Sequence, residues 1–438
     1  MITEAFWWLY VRRNGLEVAW RELDRFEILS PVESRRELGR RLLAQLHYFG
    51  SRADALPEWR EAASIQDVEE LWRVWPSLPI LTKNDLATRF HPREMAPRFG
   101  LKGKINSSGG STGEPTFFFH DQPMIDVSVA TSVYCWRRMG WRPGMTMICI
   151  WGSDRDIGKM QQSRSRWLAS ARNEVIIPGY EINDATVDRV LAEIRRRRRV
   201  VIFGFTSLLE AVAQRVVERG AAPPPGSVHT AWNGGEMLFE SQSEIFRRAF
   251  GVPILNCYGG RELSVMAYQP MNAAKLHLLR PFLFAEIVDD DGRPAAPGQS
   301  GRLVWTSTVC RGTPFLRYEV GDLAAYAAED RDESGIRAFA EIHGRIAGLL
   351  RLPGGKTINC LYWNHLFKEF PEVKQFQVAV RGEKELCIRL RGTPFPADRE
   401  VHLRSIIHNF TDGMPVSIDW VDRIPLTPQG KLVQVVHE

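Results

Sequence analysis

Between residues 100 and 340, short apolar runs alternate with segments whose apolar residues recur at helical spacing, and this alternation confines the chain to an α/β architecture. Thr146 to Trp151 is an apolar run suited to a strand covered on both faces. Val187, Val190, Leu191 and Ile194 then fall on one helical face, and Val200 to Phe205 reads as a second buried strand. A proline-rich loop occupies Ala221 to Gly226, and Val252 to Cys257 reads as a further strand. Phe284, Glu286 and Val288 precede a turn at Asp289 to Arg293, and Leu303 to Thr306 follows it, which predicts an antiparallel pair.

The flanks have a different character. Residues 1 to about 100 are rich in tryptophan and read as mostly helical, with Leu78 to Leu86 forming a loop that leads into a helix. Ala5 to Val11 is apolar, but it is short, follows Glu4 and is stopped by Arg12 and Arg13. That pattern predicts a buried amphipathic helix, not a signal peptide or a membrane span. Beyond about residue 350 the period changes to two. Phe376, Val378 and Val380 alternate, as do Leu386, Ile388 and Leu390, and Val416, Ile418 and Trp420, with a helical stretch near Arg399 to Asn409. A chain of 438 residues is too long for one small core. The expected organisation is a large N-terminal domain over 1–344, a hinge over 345–350 and a small α+β domain over 351–438.

Charge and cysteine usage narrow the classes of partner. The formal net charge is only +5, too thin a basic excess for nucleic acid but compatible with small anionic ligands. The five arginines Arg195 to Arg199 close a helical stretch, where cations complement the helix dipole and face solvent. The six cysteines form no CxxC pair and show no metal-type spacing with histidine, so a reducing cytoplasm is expected and zinc is not.

The chemistry is concentrated in a few motifs. Ser107-Ser108-Gly109-Gly110-Ser111-Thr112-Gly113-Glu114-Pro115 combines backbone freedom with hydroxyl and amide donors, as a polyphosphate cradle requires. No Gly-Lys-Ser/Thr closes it, which disfavours a P-loop kinase or ATPase. Gly234-Gly235-Glu236, Tyr258-Gly259-Gly260-Arg261-Glu262, Arg317-Tyr318-Glu319-Val320-Gly321-Asp322, Gly344-Arg345 and Ile424-Pro425-Leu426-Thr427-Pro428-Gln429-Gly430-Lys431 follow in that order.

Taken together these motifs resemble those of the adenylate-forming superfamily and, within it, the phenylacetate-CoA ligase-like branch, over almost the whole chain. The resemblance implies that ATP is bound by Ser107, Ser108, Gly109, Ser111, Thr112 and Gly113 at the phosphates, with Gly235, Glu236, Asn256, Tyr258 and Gly259 on the adenine side. It implies further that Asp322 accepts the ribose hydroxyls with Arg345 nearby, that Glu262 holds magnesium, and that Lys431 enters for adenylation. An acceptor-only carboxylate suits a vicinal diol, and magnesium prefers carboxylate and phosphate oxygens. The chain departs from the pattern at Arg261, where a hydroxyl residue is usual, and at Ala347, where an acidic or lysine pivot is usual. Many relatives carry a cysteine-built zinc site around the ribose motif, but there is no cysteine between Gly321 and Gly344.

The implied reaction joins a small carboxylic acid to ATP, releasing pyrophosphate, and then passes the acyl group to a thiol, most often coenzyme A. An acyl carrier protein thiol or an amine could serve as acceptor after the same first half, and a non-catalytic adenylate-binding homologue is the rival reading. Tyr134, Trp151, Phe205 and Trp232, with Gly260, are candidate walls for the acyl pocket, and their aromatic character suits an aryl or arylacetic acid.

Overall fold

The computed structural model describes the chain except residues 1, 93–99, 109–115, 152–172, 180–181, 198, 346–349, 352–356, 359–362, 364–365, 368, 371, 382–384, 412, 426–432 and 438. It divides into two compact units, Met1–Val320 with Ala324–Ile342, and Gly321–Leu323 with His343–Glu438. The expected hinge pivot Ala347, the loop residues Gly109, Ser111, Thr112 and Gly113, and Lys431 lie outside the described residues.

The first unit opens with helices. Ser30 begins Pro31–Gly50 with a reciprocal capping box to Glu33, and Thr82 begins Lys83–Thr88 in the same way with Asp85. Trp7 and Val11 are buried as expected for the first helix, Ile2–Arg13, while Trp8 and Leu9 on its other face are exposed.

At the centre lies a five-stranded parallel sheet in the order Glu174–Pro178, Thr146–Trp151, Val200–Gly204, Val228–Asn233, Ile254–Leu255. Its strands are almost wholly apolar because helices cover them, and Asp184–Arg196, Thr206–Glu218 and Glu240–Phe250 pack one such layer. Val187, Val190, Leu191 and Ile194 are all buried in it. After the first two strands the chain crosses to the opposite side, so adjacent strands Thr146–Trp151 and Val200–Gly204 flank the point where strand order reverses. In open parallel sheets ligands bind outside the carboxyl ends of the strands at such a point.

The expected strand over Val252 to Cys257 is in fact two. Asn256 separates Ile254–Leu255 from Cys257–Gly260, because the Cys257 amide leaves the parallel sheet to donate to Asn233 Oδ1 at 2.8 Å. Cys257–Gly260 instead starts an antiparallel sheet with Ser264–Tyr268, Leu276–Leu278 and Ala338–Phe339. The pair expected further on is present, with Phe284 opposite Thr306 and Glu286 opposite Val304, and Tyr318–Ala325 lies next in that sheet.

The second unit is a small α+β body. Val416–Trp420, Glu385–Gly392, Val373–Arg381 and Val435–His437 form its sheet, against which Leu403 and Ile407 of helix Ala397–Phe410 are buried. The three alternating segments read from sequence are strands here, and Val435–His437 joins them in parallel to Val373–Arg381.

Candidate functional site

Two hairpins of the first unit carry the motifs expected to bind phosphate and magnesium. Gly103–Ser107 pairs antiparallel with Phe117–Asp121, Ser107 opposite Phe117, so Ser107 and Ser108, which begin the hydroxyl-rich run, stand at the end of this hairpin's first strand. The pairing continues where the Ser108 amide donates to the Thr116 carbonyl at 2.9 Å. Ser107 and Ser108 are buried, and the Ser108 hydroxyl has no hydrogen-bond partner among the described residues. A buried hydroxyl without a partner is costly unless a ligand or water completes it.

The second hairpin joins Cys257–Gly260 to Ser264–Tyr268, with Gly260 opposite Ser264, and leaves Arg261, Glu262 and Leu263 as a three-residue tip. Gly259 is needed there by contact alone, since a Cβ would stand 2.4 Å from the Ser264 carbonyl oxygen. The Glu262 side chain folds over Gly260, where a Cβ would lie 3.1 Å from Oε2. Only 8% of Glu262 is exposed, yet no described residue offers its carboxylate a hydrogen bond or ion pair. Burying an unpaired carboxylate is unfavourable, and a hard cation shared with substrate phosphates is the kind of partner that resolves it. Glu262 and Ser108 thus fit a magnesium polyphosphate. Among the described residues no group of three or more His, Cys, Asp or Glu is placed to hold a metal ion.

His120 links the two hairpins. It is buried on the returning strand of the first, and its Nε2 donates to the Glu262 carbonyl at 2.7 Å. Burial pushes its pKa down, the carbonyl contact opposes this, and Lys104 across the hairpin adds to the lowering. The ring is therefore neutral at pH 7, with its proton on Nε2 because a carbonyl can only accept. The strand is fixed from the far side as well: the Phe119 amide donates to Thr313 Oγ1 at 2.7 Å, and Asp121 Oδ2 accepts from the Arg311 amide at 3.0 Å. No motif singled out His120 in the sequence.

The glycine-rich turn after the fourth strand of the parallel sheet is held in place by the carboxylate that ends its motif. Glu236 Oε2 accepts from the Ser207 amide at 2.8 Å and Oε1 from the Ser207 hydroxyl at 3.1 Å, so this carboxylate covers the N-terminus of Thr206–Glu218. Asn233 Nδ2 donates to the Glu236 carbonyl at 2.9 Å, which leaves the backbone of Gly234 and Gly235 at the strand end. Glu210 one turn along the helix accepts from Gln242 at 2.8 Å; burial, opposed by that bond and helped by Glu236, raises its pKa to about 7.

Aromatic side chains collect at the strand ends where the sheet order reverses. Trp151 stacks on Phe205 at 4.0 Å and lies 5.2 Å from Phe203, which is 6.0 Å from Trp232. Phe205 and Trp232 are buried and back the cluster, while Trp151 and Phe203 keep exposed surface. Phe203 was hidden inside an apolar strand in the sequence. Tyr134 is engaged elsewhere: its hydroxyl donates to Asp24 at 2.8 Å and its ring meets Tyr268 edge-on. Tyr258 is half-buried with its ring parallel to Trp305, and Asn256 is held through its backbone by Gln269.

In the ribose motif, Arg317 is a structural anchor. Fully buried, it pairs with Glu286 at 3.0 Å and donates to the carbonyls of Pro76 and Leu78. Gly321, at φ 86, takes the left-handed conformation that side chains resist, and Asp322 follows it on the strand, half-exposed. Arg345 ends the strand Glu341–Arg345, its side chain outside the described residues. Arg196 and Arg197 of the arginine run pair with Glu193.

No family model matches the chain. In sequence it is similar to a phenylacetate-coenzyme A ligase of Thermus thermophilus, 26% identical over 324 residues that make up 71% of this chain and 70% of that protein. In structure it is similar to 2-hydroxyisobutyryl-CoA ligase in the postadenylation state in complex with R3-HIB-AMP, with a TM-score of 0.70 and 16% identity over 95% of this chain and 92% of that one. An amide bond synthetase from Marinactinospora thermotolerans matches with a TM-score of 0.54 and 19% identity over 75% of this chain and 67% of that one. The resemblance read from the ordered motifs therefore holds: this chain has the fold of the adenylate-forming enzymes, and its sequence is similar to that of a phenylacetate-CoA ligase.

Proposed function

We propose that this chain is an AMP-forming acid–thiol ligase that activates a small aromatic carboxylic acid with ATP and transfers the acyl group to coenzyme A. The observation that carries this reading is a buried Ser108 hydroxyl and a nearly buried Glu262 carboxylate, each without a partner among the described residues, on two hairpins joined by the bond from His120 to the Glu262 carbonyl.

The ionised carboxylate of the acid attacks the α-phosphorus of ATP, the bond to the β-phosphate oxygen breaks, and pyrophosphate leaves. No general base is needed, because the nucleophile carries its charge already. Catalysis is positioning and charge neutralisation. Ser107, Ser108 and the following loop hold the leaving phosphates, Tyr258 stacks beside the adenine, and Asp322 accepts the ribose hydroxyls. Glu262 holds magnesium, which neutralises phosphate charge when bound. Lys431 supplies positive charge between the two anions as they approach. The exposed face of Trp151, with Phe203 beside it, packs the aryl ring at the switch point. The smaller unit then turns about residues 345–350 to admit the thiol. A reducing cytoplasm suits the free thiols of Cys135, Cys149, Cys257, Cys310 and Cys387.

A panel of carboxylic acids assayed for pyrophosphate release from ATP tests this. Aryl and arylacetic acids should stimulate release, and Lys431→Ala should lower it on the order of 100-fold or more. If no acid stimulates the wild-type chain, the enzyme reading is wrong. Release without a thioester on adding coenzyme A would move the acceptor to a carrier-protein thiol or an amine.

A further inference from the structure

We propose that His120 is a positioning residue for magnesium binding, setting the direction of the Glu262 carboxylate by holding the Glu262 carbonyl across two hairpins. The inference rests on the magnesium role assigned to Glu262 above.

Glu262 sits in the middle of a three-residue tip, where neither strand ladder fixes its peptide planes. On its C-terminal side Leu263 is buried, and Ser264 takes a φ of 65, so the chain there is committed to one path. The bond from His120 Nε2 at 2.7 Å fixes the peptide plane between Glu262 and Leu263. That bond, with Leu263 buried beside it, restricts the directions the Glu262 Cα–Cβ bond can take. The carboxylate itself receives no protein donor that could orient it among the described residues. The point from which it reaches is therefore set by a backbone that His120 holds.

The same histidine ties that backbone to the strand that faces Ser107. His120 lies three residues after Phe117, where the loop returns, a span of about 10 Å at the usual strand rise. The strand between them is clamped by Thr313 and the Arg311 amide, with Gly312 so close that a Cβ would stand 2.4 Å from the Phe119 ring. One strand therefore carries both Phe117, which faces Ser107, and the histidine that holds the Glu262 carbonyl. Groups that orient a metal ligand without touching the metal commonly change metal affinity about 10- to 100-fold when removed.

The test compares wild type with His120→Phe, which keeps a ring but no donor, and His120→Gln, whose amide can reach the same carbonyl. Isothermal titration calorimetry measures ATP affinity with magnesium and with EDTA in place of the metal. The expected result is that His120→Phe loses most of the affinity gained from magnesium, on the order of 10-fold, while metal-free ATP affinity holds and His120→Gln recovers the gain. Equal loss in both titrations would reduce His120 to a packing residue and overturn the inference, as would a wild-type magnesium effect in His120→Phe. If His120→Phe fails to fold, His120→Asn, whose shorter amide cannot span to the carbonyl, takes its place with the same expected outcomes. Absence of ATP binding by the wild-type chain would overturn both the inference and the reading beneath it, whereas normal acid-dependent pyrophosphate release with an unchanged magnesium effect in the variants would overturn the inference alone.

Discussion

At the scale of single residues, the carboxylates of this chain show how environment separates like groups into different tasks. Glu262 is nearly buried with no partner for its carboxylate among the described residues, Glu236 covers a helix N-terminus, Glu286 neutralises the buried Arg317, and Glu210 is held at a raised pKa of about 7. The last has a consequence for stability. Below the ordinary carboxyl range Glu210 is protonated whether the chain is folded or not, and its raised pKa costs nothing. As pH climbs from about 4.5 to about 7 the unfolded chain gives up this proton while the folded chain keeps it, so stability falls across that window and stays lower above it. Glu210→Gln removes the ionisation. We expect this variant to match wild type near pH 4.5 and to be more stable at pH 8 by on the order of 2 kcal/mol, read from urea titrations at the two pH values. A difference that does not grow with pH would show that Glu210 titrates normally. Residues of this kind were only half legible in the sequence. Glu262 and Asp322 were marked by motif, whereas His120, Phe203 and Glu210 had no local signal, because what distinguishes them is a partner contributed by another segment.

Elements were legible wherever burial is periodic. The helix Asp184–Arg196 buries the four residues its spacing implied, and the strands of the small unit follow their alternation of apolar residues. The reading failed at Val252 to Cys257, where an unbroken apolar run conceals a change of sheet at Asn256 made by a side chain 24 residues away. Val435–His437 was missed for a related reason, since three residues are too few to show a period and their strand identity comes from pairing with Val373–Arg381. The hairpin that carries Glu262 is the element most sensitive to change. Gly259→Ala places a methyl group against the Ser264 carbonyl, which is backbone and cannot swing away. The expected cost is about 1–3 kcal/mol, together with loss of pyrophosphate release as the tip moves. Ser30→Ala, which removes a capping box far along the chain, supplies the comparison: about 1 kcal/mol of stability with release unchanged. If both variants lose release in proportion to stability, the hairpin has no special claim on the chemistry.

For the whole molecule, long-range polar anchors decide which pieces meet. Arg317 joins Glu286 in one strand to the carbonyls of Pro76 and Leu78, and Trp75 Nε1 donates to the same Glu286 at 3.0 Å, so the helical N-terminal segment is tied to the sheet that carries the ribose motif. Leu81 extends this by bridging to Tyr318 in parallel. Removing one partner of a buried pair leaves the other charge uncompensated, and Arg317→Met should destabilise the larger unit by about 3–5 kcal/mol, measured as the denaturant midpoint of its unfolding transition. A midpoint near wild type would mean the anchor is dispensable. Sequence by itself determined the kinds of element, the α/β class and the order of the chemical motifs, because period, turn chemistry and the identity of donors and acceptors are local properties. Tertiary structure alone decided that Trp151 and Phe205 meet where the sheet reverses, that Glu236 covers a helix, and that His120 reaches the Glu262 carbonyl from 142 residues away. Those outcomes depend on which buried polar groups find one another once the core is closed, and an unpaired group in that core is too costly for the choice to be left open.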